Sequence, residues 1–299
     1  DASSDVYPGA PELCDTLDND CDDEIDEDAI DGTEWFRDAD GDGLGDPDVS
    51  TIACAPDEGW VSDASDCDDT DGTTDGCPRC MSGSLDGELS HIQADDDVAW
   101  AFGTSDFSIG IWLRFNSMMG EHQPIVTQNQ TDSFEAWTMY LYNSDIYFGR
   151  RLEGIGTPWS EVYADWTPTI GAWHYVVVTR TGTSSFRFFV DGVPIGDSER
   201  FMAVPNFDGP LTVGAGVLTP DGLTTRSHFD VDALHIWSKA LSEAEVLTHF
   251  TAHPTGDEDG LKAYWNFAEG SGETAADLSG NGHVATLSAS TWLAECSLL

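Results

Sequence analysis

Residues Asp38 to Asp46 read Asp-Ala-Asp-Gly-Asp-Gly-Leu-Gly-Asp, placing four carboxylates in one short glycine-rich stretch. Unneutralised, such charges repel one another and hold the backbone open, so the pattern points to a hard cation held by oxygen ligands. With Asp38 as the first ligand of an EF-hand-type loop, Asp40 and Asp42 follow at alternate positions. Gly43 falls at the turn, Leu44 offers its carbonyl and Asp46 comes two residues later. The bidentate glutamate that closes such a loop is missing, because Val49 stands there. The remaining ligands are therefore expected from Asp66-Cys67-Asp68-Asp69-Thr70-Asp71, with Asp66, Asp68, Asp69 and Asp71 returned to the ion by a Cys54–Cys67 bridge.

A second cluster, Asp18-Asn19-Asp20-Cys21-Asp22-Asp23-Glu24-Ile25-Asp26, repeats the ligand spacing with Asp18, Asp20, Asp22 and Asp26. Here Asp23 occupies the place of the turn glycine, against the usual need for a left-handed backbone. Cys14 and Cys21 bracket the start of this cluster and are expected to pair locally. A zinc site at Cys77-Pro-Arg-Cys80 lacks a second cysteine pair, so these two are expected either to close on each other or to give one partner, Cys80, to Cys296, leaving one odd cysteine.

These motifs need something to position them, and residues 1–80 offer little apolar material for it. The region carries 27 acidic residues against Arg37 and Arg79, whereas residues 81–299 carry 29 against 9. Metal and disulfides must replace a core in residues 1–80, a calcium-binding acidic region, while residues 81–299 are long enough for a domain of their own. A net charge of −45 disfavours nucleic acid and anionic membranes, and no apolar run suits membrane insertion. Six cysteines in the first 80 residues fit an oxidising compartment, so the chain is expected to be a processed or trimmed form of a secreted, extracellular or cell-surface protein.

Several blocks of residues 1–80 carry a resemblance. Tyr7-Pro-Gly-Ala-Pro-Glu-Leu-Cys-Asp15, Leu17-Asp-Asn-Asp-Cys-Asp22, Trp35-Phe-Arg-Asp-Ala-Asp-Gly-Asp-Gly43, Ala53-Cys-Ala-Pro56 and the Asp66–Asp71 run resemble a metal-binding repeat of secreted bacterial surface proteins. The aspartate loop also resembles thrombospondin type 3 repeats, which implies calcium.

Beyond residue 80 the pattern changes to short aromatic and β-branched segments. Asp106–Phe115, Trp137–Tyr142, Asp145–Arg150, Trp173–Thr179 and Ser185–Val190 read as strands, with turns at Asn143-Ser-Asp145 and Asp191-Gly192. Repeated strands of this kind predict a mainly β fold, an antiparallel two-sheet jelly-roll sandwich. One helix is expected from Ser242, with Glu245 completing a capping box, to about Phe250, covering a sheet end. Phe107-Ser-Ile-Gly-Ile-Trp-Leu113, Gly171-Ala-Trp-His-Tyr-Val-Val-Val-Thr179, Phe188-Phe-Val-Asp-Gly192, Phe229–Val246 and Leu261–Gly272 with Asp277–His283 resemble the laminin-G-like, concanavalin A-like jelly roll.

Catalysis is not expected. Glu153, Glu161 and Glu199 are scattered rather than paired as glycoside hydrolysis needs, and the glutamate of a zinc protease is missing between His249 and His253. His174 lies in an apolar strand and reads as a packed side chain. The laminin-G resemblance implies instead binding of a glycan or an extracellular protein, with Trp112, Trp173, Trp237 and Trp265 at core positions. Trp159 and Trp166, in loops beside prolines, are candidates for stacking on sugar. Asp277 and Asn281 could supply oxygens to a further ion, or form a plain turn. A third expectation is structural: the acidic arm of one copy docking on the sandwich of the next, giving self-assembly into a filament or coat.

Overall fold

The computed structural model describes residues 6–64, 66, 81–118, 120–130, 133, 135–143, 145–153, 159–217, 224–293, 296 and 297. The expected ligands Asp68, Asp69 and Asp71 and the cysteines Cys67, Cys77 and Cys80 lie outside them. The chain divides into two units, Asp1–Arg79 and Cys80–Leu299.

The first unit holds a three-stranded antiparallel sheet, β1 (Thr33–Arg37), β2 (Asp46–Ala53) and β3 (Trp60–Val61), in the order β2-β1-β3. It buries little apolar surface: Ile25, Ile30 and Ile52 are exposed, and Ala10 and Ala29 are the buried apolar side chains described there. Polar groups fill the interior instead. Asn19 is fully buried with Oδ1 accepting from the Leu13 N–H, and Glu12 is buried with Oε1 accepting from Asp20 N and Oε2 from Asp26 N.

Cys14 is bonded to Cys54, 40 residues away, and Cys21 is a free, exposed thiol. The expected local pairings, Cys14 with Cys21 and Cys54 with Cys67, are therefore corrected. The reason lies in the backbone around them. Ile30 N donates to Glu12 O and Cys14 N to Asp31 Oδ1, which lays residues 12–14 beside the start of β1. There Thr33 pairs with Ala53, so Cys54 arrives next to Cys14. Cys21 meanwhile is committed to the aspartate loop, its N–H donating to Asp18 Oδ1 at 2.6 Å.

In the second unit the strands run in chain order as β4 (Ser82–Asp86), β5 (His91–Ala94), β6 (Phe107–Ser117), β7 (His122–Asn129), β8 (Ala136–Tyr142), β9 (Asp145–Arg151) and β10 (Trp159–Asp165). They continue as β11 (His174–Thr181), β12 (Ser185–Val190), β13 (Val193–Glu199), β14 (Leu211–Val213), β15 (Ala215–Val217), β16 (Thr224–Arg226) and β17 (His228–Trp237). After helix α1 (Glu243–Thr251) come β18 (Leu261–Trp265), β19 (Thr274–Ala275), β20 (Ala285–Ser288) and β21 (Thr291–Leu293). One eight-stranded sheet has the order β10-β9-β8-β7-β14-β5-β20-β19, the other β13-β12-β11-β6-β17-β4-β21 with β18 beside β17. Every pairing is antiparallel, as the two-sheet sandwich predicts.

Alternation builds the core between the sheets. Ile109, Ile111, Leu113 and Phe115 of β6 face Met139, Leu141, Ile146 and Phe148 of β8 and β9 in one apolar cluster. The opposite face of the second sheet carries Trp112, Tyr175, Val177, Phe189 and Trp237, which pack under Leu241, Val246 and Phe250. Helix α1 thus covers a sheet face rather than a sheet end. Its capping box is formed: Ser242 Oγ accepts from Glu245 N, and the Glu245 carboxylate accepts from Ser242 N. Trp112, Trp237 and Trp265 are buried, while Trp173 is half-buried with the Arg114 guanidinium 5.1 Å over its ring.

Candidate functional site

The two aspartate loops of the first unit share most of their hydrogen bonds and differ at one amide, Asp42 N donating to Asp40 Oδ1 where Asp22 N donates to Asp18 Oδ1. Asp38 Oδ1 accepts from Gly41 N at 2.7 Å and Oδ2 from Gly43 N at 3.1 Å, while Asp42 Oδ1 accepts from Leu44 N at 2.7 Å. Twenty residues earlier, Asp18 Oδ1 accepts from Cys21 N at 2.6 Å and Oδ2 from Asp23 N at 3.1 Å, and Asp22 Oδ1 accepts from Glu24 N at 2.9 Å. The backbone angles match as well. Gly41 and Gly43 have φ of +84° and +93°, and Cys21 and Asp23 have +64° and +78°. Asp23 therefore adopts the turn that its place in the sequence demanded of a glycine.

Each loop gathers three carboxylates, Asp38 with Asp40 and Asp42, and Asp18 with Asp20 and Asp22, with one oxygen of each within 4.8 Å of the others. Backbone N–H groups consume some of these oxygens and leave others over. Asp40 Oδ2, Asp42 Oδ2 and Asp20 Oδ1 are buried without a hydrogen-bond partner. An orphaned carboxylate oxygen in a ring of like charge is an electrostatic cost that a cation removes. Asp40 accordingly has its pKa raised, by burial and by the charges of Asp42, Asp66 and Asp38. The donor set is all oxygen, the set a hard divalent ion takes.

Asp66 does come back to the Asp38 loop, but without a Cys54–Cys67 tie. Asp38 N donates to Gly59 O, Gly45 N to Asp63 O and Asp66 N to Gly45 O, stitching the 59–66 segment along the loop. Arg37 pairs with Asp46 across β1 and β2, which places Asp46 at the loop exit, and Leu44 directs its N–H to Asp42. Asp26, by contrast, turns away from its own loop, Oδ1 accepting from Asp15 N and Thr16 N.

Two ligand candidates escaped the spacing argument. Glu12 and Glu27 join Asp20 in a third three-carboxylate group, and Glu27 Oε2 is buried without a partner. Glu27 has a backbone hydrogen bond that favours its charged form, yet burial and the charges of Glu12, Asp22 and Asp20 outweigh it and raise its pKa. Glu12 lies in another part of the sequence and Glu27 falls just past the loop, so neither fits a loop template.

In the second unit Asp277 and Asn281 form a turn. Asp277 Oδ1 accepts from Tyr264 N, Ser279 N and Ser279 Oγ, and Oδ2 accepts from His283 N. Asn281 Nδ2 donates to the carbonyls of Leu261 and Lys262. The Asp277 carboxylate is spent on fastening this turn to β18.

A different feature distinguishes the outward face of the first eight-stranded sheet. Met139, Leu141, Ile146, Phe148, Val162 and Ala164 point into the core, so the alternate residues of β8, β9 and β10 point away from it. In register, Tyr140 pairs with Tyr147 and Tyr147 with Tyr163. Their rings stack in a row, with centroids 5.1 and 5.2 Å apart and planes within 25°. Tyr163, on the edge strand, is 51% exposed. His122 lies 4.5 Å from Tyr142 and 6.2 Å from Tyr140 at the other end of the row. Tyr140 Oη donates to Glu161 Oε2 at 2.8 Å, and Glu161 packs closely over Gly149 on the neighbouring strand, where an added Cβ would stand 3.0 Å from Glu161 Cβ. Trp159 begins β10 with the Arg151 guanidinium 5.9 Å over its ring, whereas Trp166 packs on the core and edge-on to His174. The tyrosines were legible as Tyr140-Leu-Tyr142 alternation and as single outward positions, but cross-strand register was needed to align them.

The chain belongs to the concanavalin A-like lectin/glucanases superfamily, whose model matches residues 86–247. A second model, described as a "putative metal-binding motif", matches residues 1–27. Among solved structures, a "putative carbohydrate binding protein" from Bacteroides ovatus aligns at 15% identity and a TM-score of 0.54, covering 71% of this chain. This chain spans 60% of that protein's length. Domain 4 of the extracellular arabinanase AbnA from Geobacillus stearothermophilus, in complex with arabinotriose, aligns at 15% identity and a TM-score of 0.44, covering 56% of this chain and 75% of that one. No curated protein sequence matches the chain.

Proposed function

We propose that this chain is an exported binding protein without catalytic activity, whose sandwich takes a glycan on the tyrosine row and whose acidic arm is rigidified by calcium. The row Tyr140–Tyr147–Tyr163 carries the glycan reading. Tyr163 is half-exposed and Tyr147 partly exposed beside a buried Tyr140, and with a carboxylate and a histidine next to the row they offer the mixture of CH-stacking surface and hydroxyl-directed hydrogen bonds that a sugar uses. The half-exposed Tyr163 supplies an open ring face, and the tyrosine hydroxyls supply polar edges. The description of the Bacteroides ovatus protein as carbohydrate-binding points the same way.

Glu153, Glu161 and Glu199 serve separate partners: Glu161 accepts from Tyr140, Glu199 from Ser184, and the Glu153 N–H donates to Glu135. A retaining or inverting hydrolase needs two carboxylates facing one bond. For the arm, the all-oxygen loops and their orphaned oxygens favour calcium over softer ions. The export reading rests on the Cys14–Cys54 disulfide.

A glycan array on the intact chain, followed by calorimetry on hits, tests the central claim. Tyr163→Ala and Tyr147→Ala should each weaken a bound glycan about tenfold, the size expected when one stacked ring is removed. A blank array, or a hit indifferent to both substitutions, would sink the assignment.

A further inference from the structure

We propose that a cavity at one end of the sandwich, apart from the tyrosine row, binds an α-amino acid by its two opposite charges. The inference does not depend on the glycan reading.

The cavity has a volume of about 470 Å³, within the range of small-molecule sites. It lies beside the start of β6 and the exit of β17, which pair there through Ser108 and Trp237. Two walls of different charge border it. Segment 97–106 brings Asp97 and Asp106, while β18 and the turn fastened to it bring Lys262 and His283. Trp100, fully buried, packs where the walls meet, its ring 4.9 Å from that of His283 and 6.1 Å from that of Trp265. Trp265 Nε1 in turn donates to His283 O at 2.7 Å. This packing fixes the two walls relative to one another.

A β-bulge sets Lys262 in place. Trp237 pairs with Leu261 and Ile236 with Ala263, so Lys262 is the extra residue with no partner opposite, the kind of irregularity that re-aims a side chain. The chain has two lysines. Lys239 pairs with Glu245, whereas Lys262 is exposed and forms no ion pair with any carboxylate among the described residues, Asp97 and Asp106 included. The aspartates keep capacity as well. Asp97 Oδ1 accepts from Ala99 N and Asp106 Oδ1 from Gly182 N, both at 2.7 Å, and the second oxygen of each makes no hydrogen bond among the described residues.

Opposite charges that share a cavity without touching select a ligand that carries both. A simple anion would gain Lys262 but face two aspartates, and a simple cation would meet the reverse conflict. An α-amino acid satisfies both walls with charge-assisted hydrogen bonds, its ammonium donating to Asp97 and Asp106 and its carboxylate accepting from Lys262. Val98 and Phe102, on the acidic wall, supply apolar surface for its side chain, so an apolar amino acid is preferred over glycine.

Saturation-transfer NMR and calorimetry on the intact chain, with L-leucine, leucinamide, 4-methylpentanoate and glycine as probes, provide the test. Leucine should bind at least about tenfold more tightly than leucinamide, which lacks the carboxylate, and than 4-methylpentanoate, which lacks the ammonium, the size of one charge-assisted hydrogen bond. Lys262→Gln should abolish the preference over leucinamide, and Asp97→Asn the preference over 4-methylpentanoate. Asparagine keeps the oxygen that accepts from Ala99 N, and Lys262 is exposed, so both variants fold. No saturation transfer to leucine, or equal affinity for leucine and both truncated probes, overturns the proposal. So does leucine binding unchanged in both variants. Glycine binding as tightly as leucine removes Val98 and Phe102 from the site and overturns the apolar assignment. A glycan bound through Tyr163 but lost in Lys262→Gln would make the cavity part of the glycan site and overturn the proposal of a separate one.

Discussion

Asp23 and Gly43 hold the same place in two copies of one loop, with φ of +78° and +93°, and each donates its N–H at 3.1 Å to the second oxygen of the leading aspartate. Glycine takes this conformation without steric cost, whereas an aspartate is strained by its Cβ and helped only by its short polar side chain. Asp23→Gly should therefore leave the first loop intact and stabilise the arm slightly, by about 0.5 kcal/mol. Asp23→Asn, which removes the charge but keeps the side-chain length, separates strain from repulsion. Gly43→Ala should cost about 1 kcal/mol through φ alone, since no atom lies within 4 Å of the added Cβ. Chemical denaturation followed at the arm, in chelator, reads all three.

The orphaned oxygens predict an inverted pH response on removing metal. Asp20 and Asp40 start from 3.8 and Glu27 from 4.5, and all three are raised in the folded chain. A folded-state pKa above the unfolded one means that the native arm binds more protons, so stability falls as pH rises through that window. In chelator the arm should therefore melt higher near pH 4.5 than at pH 7. With calcium the order should reverse, because the ion needs the deprotonated ligands. An arm whose melting ignores both calcium and pH would contradict the calcium reading.

How much of this was readable from sequence depends on whether neighbours in space were neighbours in the chain. The Asp38 loop was legible because its acceptors and donors lie within a few residues, and the Ser242–Glu245 capping box for the same reason. The strands were legible from alternation, and the sandwich from their repetition. Illegible were the pairings that need long-range register: Cys14 with Cys54, Glu12 with Glu27, and the row from Tyr140 to Tyr163. Asp277 stood open between an ion and a plain turn, since a carboxylate beside glycines suits both, and its four hydrogen bonds, one of them from Tyr264 of β18, are those of a turn.

The Cys14–Cys54 bond closes a 40-residue loop around a region with almost no apolar core. Loop-closure entropy for that length corresponds to about 4 kcal/mol. Cys14→Ser together with Cys54→Ser should thus unfold the arm in chelator and leave a calcium-dependent transition, while the melting of residues 80–299 stays in place. Near-ultraviolet circular dichroism and proteolysis distinguish the two. Unchanged arm protection in the double variant would show that the bond contributes little.

The sandwich has a pH dependence of the opposite sign, centred on His235. Its Nδ1 accepts from Trp237 Nε1 at 2.7 Å and its Nε2 lies 2.8 Å from Tyr175 Oη, so the ring is held neutral between two aromatic partners. Burial, then the nearby His249 and His253, holds its pKa well below 6.5. A depressed histidine contributes stability above the unfolded pKa and loses it as pH falls, because the unfolded chain takes a proton that the native ring refuses. Between pH 7 and pH 5 the melting of residues 80–299 should therefore drop, in the interval where the metal-free arm holds or gains stability. The same ring explains a steric prediction: a Cβ on Gly110 would stand 2.1 Å from His235 Cε1. Gly110→Ala should cost about 3 kcal/mol or more as an overpacked core substitution, and should also weaken the pH dependence by displacing the ring. Differential scanning calorimetry at the two pH values, on wild type and Gly110→Ala, measures both effects. A sandwich transition flat between pH 7 and pH 5 would remove His235 as its acid-sensitive group.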